Sequence, residues 1–476
     1  MRNGSMVFIK NEKNDRPTKS KPVKLVESPA FEKSERNSVI THQINHHFDN
    51  KPIRFSIKFS LLVIVCFSAY YPIIFNDFLY HWDDQWVAMN NYTEGGINFN
   101  NLWAIISQFY HGQYAPFNEY YYVVLYSLFG YHPLAFHLGS LLLHILNVML
   151  VYVCIYRLFE LSRIIVTENI QFVAFLTALL FAVHPFNVES VAWISASKVL
   201  VYSFFYLFAT LAFLFYLERK KLKYYFLTLF FFICSFLGKE QAVSFPFWLL
   251  LIFWLCGYRL NDRKIWLSVA PFFFLSLFFG LITILSQTGG KVLFDHEGYT
   301  MEQRIVYACY SFTEYFIKTA FPLKLSYLYP FPSVIGEPIP QWLLLYPVLL
   351  AIILFVFWKP ILTHKLWLFA LFYFFIHIAI TLHIISLSRF TVVADRYAYM
   401  ATIVFGLVIS YYFAHYFRKW KSCRKWGLLV VFSAYLLYFG VYTNIRCRVW
   451  ENTDTLKKEI RELLKKREDY KLKFEN

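Results

Sequence analysis

Runs of apolar residues long enough to cross a bilayer recur along the chain, and short basic loops separate them. A spanning helix needs roughly 20 mostly apolar residues. Eleven such stretches are read here: 56–76, 133–156, 170–185, 199–217, 224–238, 242–257, 265–286, 341–358, 366–386, 397–417 and 426–443. The chain has 476 residues, 58% of them hydrophobic and only 16% charged, where a soluble domain carries about 25% charged residues. A water-soluble core large enough to hide that much apolar surface is not plausible. The expected fold is therefore an all-α polytopic membrane protein of about 11 transmembrane helices, with a long first outer loop and interfacial helices.

A net charge of +16 raises the question of nucleic acid. The basic residues lie in two tails and in short loops between apolar runs. That distribution orients a membrane protein; it does not build a groove for phosphates, and no nucleic-acid partner is expected. The seven cysteines are scattered singly with no CxxC pair, so they read as small buried hydrophobes. No glycine-rich phosphate loop, HExxH or GxSxG is present, which removes the local signatures of soluble nucleotide-sugar, ATP or hydrolase chemistry. Residues 1–55 are polar and basic and read as a disordered cytoplasmic tail. The first span then serves as an uncleaved anchor, the membrane domain runs over 56–445, and 446–476 forms a short charged helical tail.

Orientation follows from the lysines and arginines. None occurs between Phe59 and Tyr156, whereas Asp77, Asp83, Asp84, Glu94 and Glu119 fall in that interval. The first loop is expected outside: periplasm in a bacterium, or the lumen of the endoplasmic reticulum in a eukaryote. Arg157 and Arg163, "ERKKLK" (218–223), "YRLNDRK" (258–264), "KPILTHK" (359–365) and "FRKWKSCRK" (417–425) then all fall on the cytoplasmic side. The segment 303–321 carries Arg304, Glu314 and Lys318, at about 2.5–3.5 kcal/mol per charge at the bilayer centre, and is expected to lie on the outer face. Residues 117–131 are too short to span and are expected to be interfacial or re-entrant. With eleven spans the C-terminal tail is outside, against its basic charge; a twelfth span would return it inside.

Polar groups near a bilayer need a reason. The first are Asp83 and Asp84 in "LYHWDDQWVAMNN". They read either as a solvated loop start or helix cap, or as a general base in a partly desolvated outer cleft. Adjacent residues on a helix point about 100° apart, so one carboxylate faces a substrate while the other orients it or a divalent cation. His137, Ser140, His144 and Asn147 share one helix face, which reads as interhelical hydrogen bonding. His184, Glu189 and Lys198 fall at the outer ends of two spans. Lys239 and Glu240 occupy an outer turn and form either a surface ion pair or part of an anion site. Arg389 and Arg396 belong to the same outer face. Acids and cations thus gather on one side. That is what a lipid-phosphate sugar donor requires: cations for the phosphate, a carboxylate for the acceptor's proton.

The ordered motifs "WDDQWVAMNN", "YAPFNEYYYVVLYSLFGYHPLAFHLGSLLLHILNVML", "LLFAVHPFNVESVAWIS", "SFLGKEQAVSFP" and "ADRYAYM" resemble the membrane part of the transmembrane O-mannosyltransferases that carry tetratricopeptide repeats, and their bacterial relatives. Those enzymes belong to the GT-C superfamily of glycosyltransferases. The resemblance covers about residues 56–455. It implies a GT-C-like bundle, a polyprenyl- or dolichyl-phosphate sugar donor, and inverting transfer to a protein hydroxyl or cell-surface glycan on the non-cytoplasmic face. It places Asp83 and Asp84 on the acidic pair, with Asp84 the first choice for general base, and Lys239 and Glu240 on the Lys-Glu motif. His184, Glu189 and Arg396 fall on further motif positions that support the donor pocket. The match is incomplete. "ASKVL" stands where the family often has Gly-Arg-Lys-Asp, so only Lys198 corresponds, and Gln85 stands where relatives often have Arg. Two other classes stay open: a transporter or flippase of lipid-linked glycans, and a non-catalytic scaffold of the same fold.

Overall fold

The computed structural model describes residues 52–162, 169–289, 299–333, 335–384 and 391–465. The tail 1–51, Arg163 and Arg389 lie outside the described residues, as does 466–476. Residues from Lys58 onward form one compact unit, which the following paragraphs describe.

Among the described residues the protein is all-helical, with only two isolated bridges, Tyr110 to Gln113 and Tyr329 to Val393. Every apolar stretch carries a helix: Pro52–Tyr70, Pro133–Ser162, Ile170–Ala182, Lys198–Arg219, Leu222–Gly238, Phe245–Leu255, Arg263–Gly289, Leu345–Thr363, Lys365–Ile378, Thr402–Lys419 and Ser422–Cys447. Six segments are long and apolar enough to cross a bilayer: Ser56–Phe75, Pro133–Ser162, Ile194–Arg219, Arg263–Gln287, Gln341–Thr363 and Ser422–Trp450. The pair Ile170–Ala182 and Pro185–Ala192, bent by 52°, makes a seventh if taken as one span. The bend falls at His184-Pro185, where proline removes a helical donor and pushes the residue before it into extended backbone; His184 has ψ 123. Leu345–Thr363 has no buried residue. Leu345, Ile352, Phe355 and Trp358 are all exposed, a surface suited to lipid and penalised by water.

Burial increases toward the helices Pro133–Ser162, Ile170–Ala182 and Lys198–Arg219. Here polar groups bind the bundle together. His144 Nε2 meets the Ala182 carbonyl at 3.1 Å and its Nδ1 meets the Tyr399 hydroxyl at 2.8 Å. The carbonyl can only accept, so Nε2 carries the proton and Tyr399 donates to Nδ1. Asn147 donates to the Leu200 carbonyl at 3.1 Å and to the Tyr399 hydroxyl at 3.3 Å. His144 and Asn147 therefore work as interhelical hydrogen bonding.

Gly238 marks a close backbone approach between two helices. A Cβ there would sit 3.0 Å from both the nitrogen and the Cα of Tyr202. Small residues let helix backbones approach in this way. Gly238→Val is expected to destabilise the bundle by about 1–3 kcal/mol through overpacking, read as a lower melting temperature in detergent; an unchanged melt would show that the crossing is slack.

Met301–Ala320, started by a Thr300–Gln303 capping box, is too polar to count among the spanning helices. It packs through Ser311, which donates to the Val392 carbonyl at 2.9 Å, and through Tyr315, whose hydroxyl accepts from the Ala394 amide at 3.0 Å. The chain after Ser422–Cys447 turns onto the first loop. Asn76 donates to the Cys447 carbonyl at 3.1 Å, the Asp77 amide to the Glu451 carbonyl at 2.8 Å, and the Thr453 hydroxyl to the Tyr80 carbonyl. The helix Thr453–Leu464 follows, held by Leu456 in the core and by Arg446 to Glu459 at 2.9 Å.

Candidate active site

Short segments between the long helices meet at the end of the bundle that carries the first loop. They are Asp84–Val87, Pro185–Asn187, Val188–Ala192, Ile194–Ala196, Glu240–Ser244 and Asp395–Ala398. Chains this short cannot be stable helices alone, so tertiary bonds hold them.

Asp84 provides one such bond. Its Oδ2 accepts from the Leu79 amide at 2.9 Å, and its Oδ1 accepts from the Ser195 amide at 3.0 Å and from the Ser195 hydroxyl. It is 1% exposed. Burial pushes its carboxyl up to about 6, although the Ser195 hydroxyl and the two amides favour the ionised form. These bonds anchor the first loop to the Ile194–Ala196 turn through Asp84. Asp83 is half-buried, and its Oδ1 accepts from Trp86 Nε1 at 3.3 Å. Of the pair, Asp83 is the more accessible carboxylate.

Arg396 lies opposite. Its guanidinium and its backbone amide both donate to the buried Glu189, the amide at 2.9 Å. The guanidinium also lies over the Trp193 ring at 5.3 Å and the Tyr397 ring at 4.8 Å. Lys239 takes the other position on Tyr397, 5.4 Å from its centroid, and pairs with Glu240 at 3.5 Å. Lys239 is 2% exposed, so this is no surface pair of little value. Lys198 is half-buried, donates to Gln113 Oε1 at 3.0 Å, and makes no ion pair within 4 Å among the described residues. Lys239, Glu240, Arg396 and Asp83 all act on its charge. Thus Asp83, Lys198, Lys239, Glu240 and Arg396 share one electrostatic neighbourhood, with Glu189 behind Arg396.

His184 does not join them. Its Nδ1 accepts from the Phe186 amide at 3.2 Å, so its Nε2 donates to the Thr319 carbonyl at 3.0 Å. Both ring nitrogens are spent tying the bend to the end of Met301–Ala320, which makes His184 a structural residue. Behind the cluster, Asp395 accepts from the Tyr329 hydroxyl at 2.8 Å. Burial, and then the neighbouring Glu189 carboxylate, push its carboxyl well above the usual range. Among the described residues no group of three His, Cys, Asp or Glu is placed to hold a metal ion.

Sequence reasoning missed Ser195, Trp193, Tyr397 and Gln113. It recorded Glu119 only as one acid among several. Glu119 is half-buried and accepts from Asn90 at 3.1 Å. Burial pushes its carboxyl up to about 7, against the pull of Asn90 and Lys198. An acid whose folded value is raised adds stability below its unfolded value and loses it as pH rises through the folded one. Glu119→Gln is therefore expected to gain on the wild type between about pH 4.5 and 7, by on the order of 1–3 kcal/mol at about 1.4 kcal/mol per pH unit. Melting curves across that range check it; parallel curves would contradict it.

No family model matches the chain, and neither does any curated protein.

Proposed function

We propose that the protein is an integral-membrane glycosyltransferase of the GT-C type. It moves a sugar from a polyprenyl- or dolichyl-phosphate donor to a hydroxyl of a protein or cell-surface glycan. The observation that carries this is the more accessible carboxylate of the acidic pair, Asp83, within one neighbourhood of Lys198, Lys239 and Arg396. The acceptor oxygen attacks C1 of the sugar and gives its proton to Asp83. The bond from C1 to the phosphate oxygen breaks, and its electron pair leaves with the polyprenyl phosphate. That group departs with one more negative charge, which Lys198 has no carboxylate partner to offset and Lys239 and Arg396 share. A fixed cationic site with little water favours that charge most strongly as it develops. Asp84 positions Asp83 by locking the turn, and Glu189 positions Arg396.

The membrane arrangement supports the reading. Asn76, Asp77 and Tyr80 touch Cys447, Glu451 and Thr453, so the first loop and the segment after the last long helix share a side. That requires an even number of crossings between them, and so an odd number in all. Eleven in all satisfies it, with Thr402–Lys419 and the shorter apolar helices Leu222–Gly238, Glu240–Leu255 and Lys365–Thr381 crossing inside the bundle. The lysine- and arginine-free first loop makes that side non-cytoplasmic. A transporter would carry its charged groups near the midplane, on interrupted helices; here they sit in the segments that join helices at one end. Purified protein given a panel of polyprenyl-phosphate sugars should release polyprenyl phosphate from at least one. A folded protein that turns over none would favour the scaffold or transporter readings.

A further inference from the structure

The first loop holds a short helix, Phe99–Ser107, that turns apolar side chains outward. Asn98 starts it by accepting from the Asn101 amide at 2.9 Å. Its inner face is fastened to the protein. Ile105 is buried, the Tyr120 hydroxyl donates to the Leu102 carbonyl at 2.8 Å, and the Tyr114 hydroxyl donates to the Ile106 carbonyl at 2.8 Å. Asn101 donates to the Tyr92 and Gly96 carbonyls at 2.7 and 2.8 Å. Phe99 and Trp103 share the opposite face, since Trp103 and Ile105 point about 200° apart on a helix. They are 79% and 62% exposed, and Ile97, just before the helix, is 61% exposed. A single apolar side chain at a surface is ordinary. Three large ones on a helix held this firmly make a surface that water penalises.

Three observations commit that surface to lipid. The loop is tethered between Ser56–Phe75 and Pro133–Ser162, both long and apolar enough to cross a bilayer. The exposed apolar surface also runs on toward the second of them. Val124, Leu128 and Phe129 are exposed on Pro116–Phe129, and Leu138 and Leu142 are exposed on Pro133–Ser162 itself. The Tyr121 hydroxyl joins those two helices by donating to the Phe136 carbonyl at 3.4 Å. A Cβ on Gly96, next to Ile97, would lie 3.9 Å from Ser127 Oγ on Pro116–Phe129. Finally, Phe99–Ser107 contains no charged residue, and tryptophan in such a helix suits the level of the lipid headgroups.

We propose that Ile97, Phe99 and Trp103 insert into the leaflet on the first-loop side, at the boundary between headgroups and acyl chains, and anchor the loop there. The same loop carries Asp83. The Tyr92 hydroxyl donates to Gln108 Oε1, just past the helix, at 2.8 Å, and Asn90 donates to the Val87 carbonyl at 3.0 Å. The anchor therefore sets the height of the Asp84–Val87 turn above the lipid, whatever reaction takes place beside it.

Fluorophore depth, measured on the full chain in phosphatidylcholine nanodiscs holding one chain each, tests the proposal. Cys423 is the exposed native cysteine among the described residues, so Cys423→Ser is the background and the labelling control. Bimane is attached at Phe99→Cys and, separately, at Trp103→Cys. Doxyl groups just below the headgroups should quench both labels more than doxyl groups at the chain ends or iodide in the water, at a depth of about 5–10 Å. Labels quenched by iodide and not by doxyl lipid would overturn the proposal. So would labels shielded from both, since with one chain per disc only this chain's own residues could cover them. Phe99→Ser/Trp103→Ser then excludes a helix drawn into lipid by its label. The two side chains lie outside the core, and serine has about the helix propensity of phenylalanine and tryptophan. Amide exchange over Phe99–Ser107 in the same discs should rise about tenfold in that variant, one decade being 1.4 kcal/mol and the burial of either side chain contributing at least as much. Exchange equal to the wild type's would overturn the anchor.

Discussion

Glu189→Ala is expected to leave little folded protein. Glu189 is 2% exposed, and both of its oxygens are held by Arg396, one by the guanidinium and one by the backbone amide. Removing one partner of a buried ion pair costs about 3–5 kcal/mol, because the other charge stays behind without compensation. Asp395, next to Arg396 in the chain, does not replace it: its carboxyl is engaged by Tyr329. The contact also joins two segments 207 residues apart, so its loss frees the Asp395–Ala398 turn that carries Arg396 and Tyr397. Glu189→Gln keeps an acceptor for the amide and should fall between. Detergent-solubilised yield and melting temperature check the order wild type, Gln, Ala. An Ala variant as stable as wild type would show that Arg396 finds another partner or water.

Asp83→Asn and Asp84→Asn are expected to fail in different ways, although the residues are adjacent. Asn at 84 places an amide nitrogen against either the Leu79 amide or the Ser195 donors that Asp84 now accepts. A buried donor facing a donor costs about 1–3 kcal/mol, so this variant melts lower. Asn at 83 keeps an oxygen for Trp86 and has one contact to preserve, so it melts like the wild type. General-base contributions run to about 10²–10⁴ in rate, and only Asp83→Asn should lose that factor with an intact fold. Equal melting of both variants would remove the anchor role assigned to Asp84.

Each of the eleven apolar stretches carries a helix, six or seven of them long and apolar enough to cross a bilayer, because apolar length is a local property of the chain. The lysine- and arginine-free interval 59–156 likewise marked the first loop, and the costs of polar groups near lipid pointed to Asp83, Lys198, Lys239 and Arg396. The division of labour within the acidic pair was not legible. It depends on Ser195, 111 residues away in the chain, and no spacing rule links the two. The aromatic platform of Trp193 and Tyr397 under Arg396 was hidden for the same reason. His184 fell on a motif position, yet its work is set by the Thr319 carbonyl 135 residues on. The side of the C-terminal tail was undecided because its basic charge argued against the span count. Three hydrogen bonds to residues 76–80 place it beside the first loop.

The most direct test compares release of polyprenyl phosphate by the wild type and by Asp83→Asn, on whichever polyprenyl-phosphate sugar the wild type turns over, with melting temperatures taken on the same preparations. Release lost by about a hundredfold or more at an unchanged melting temperature is the predicted result. Release at the wild-type rate would contradict the assignment of Asp83 as the base, and with it the mechanism built on this site.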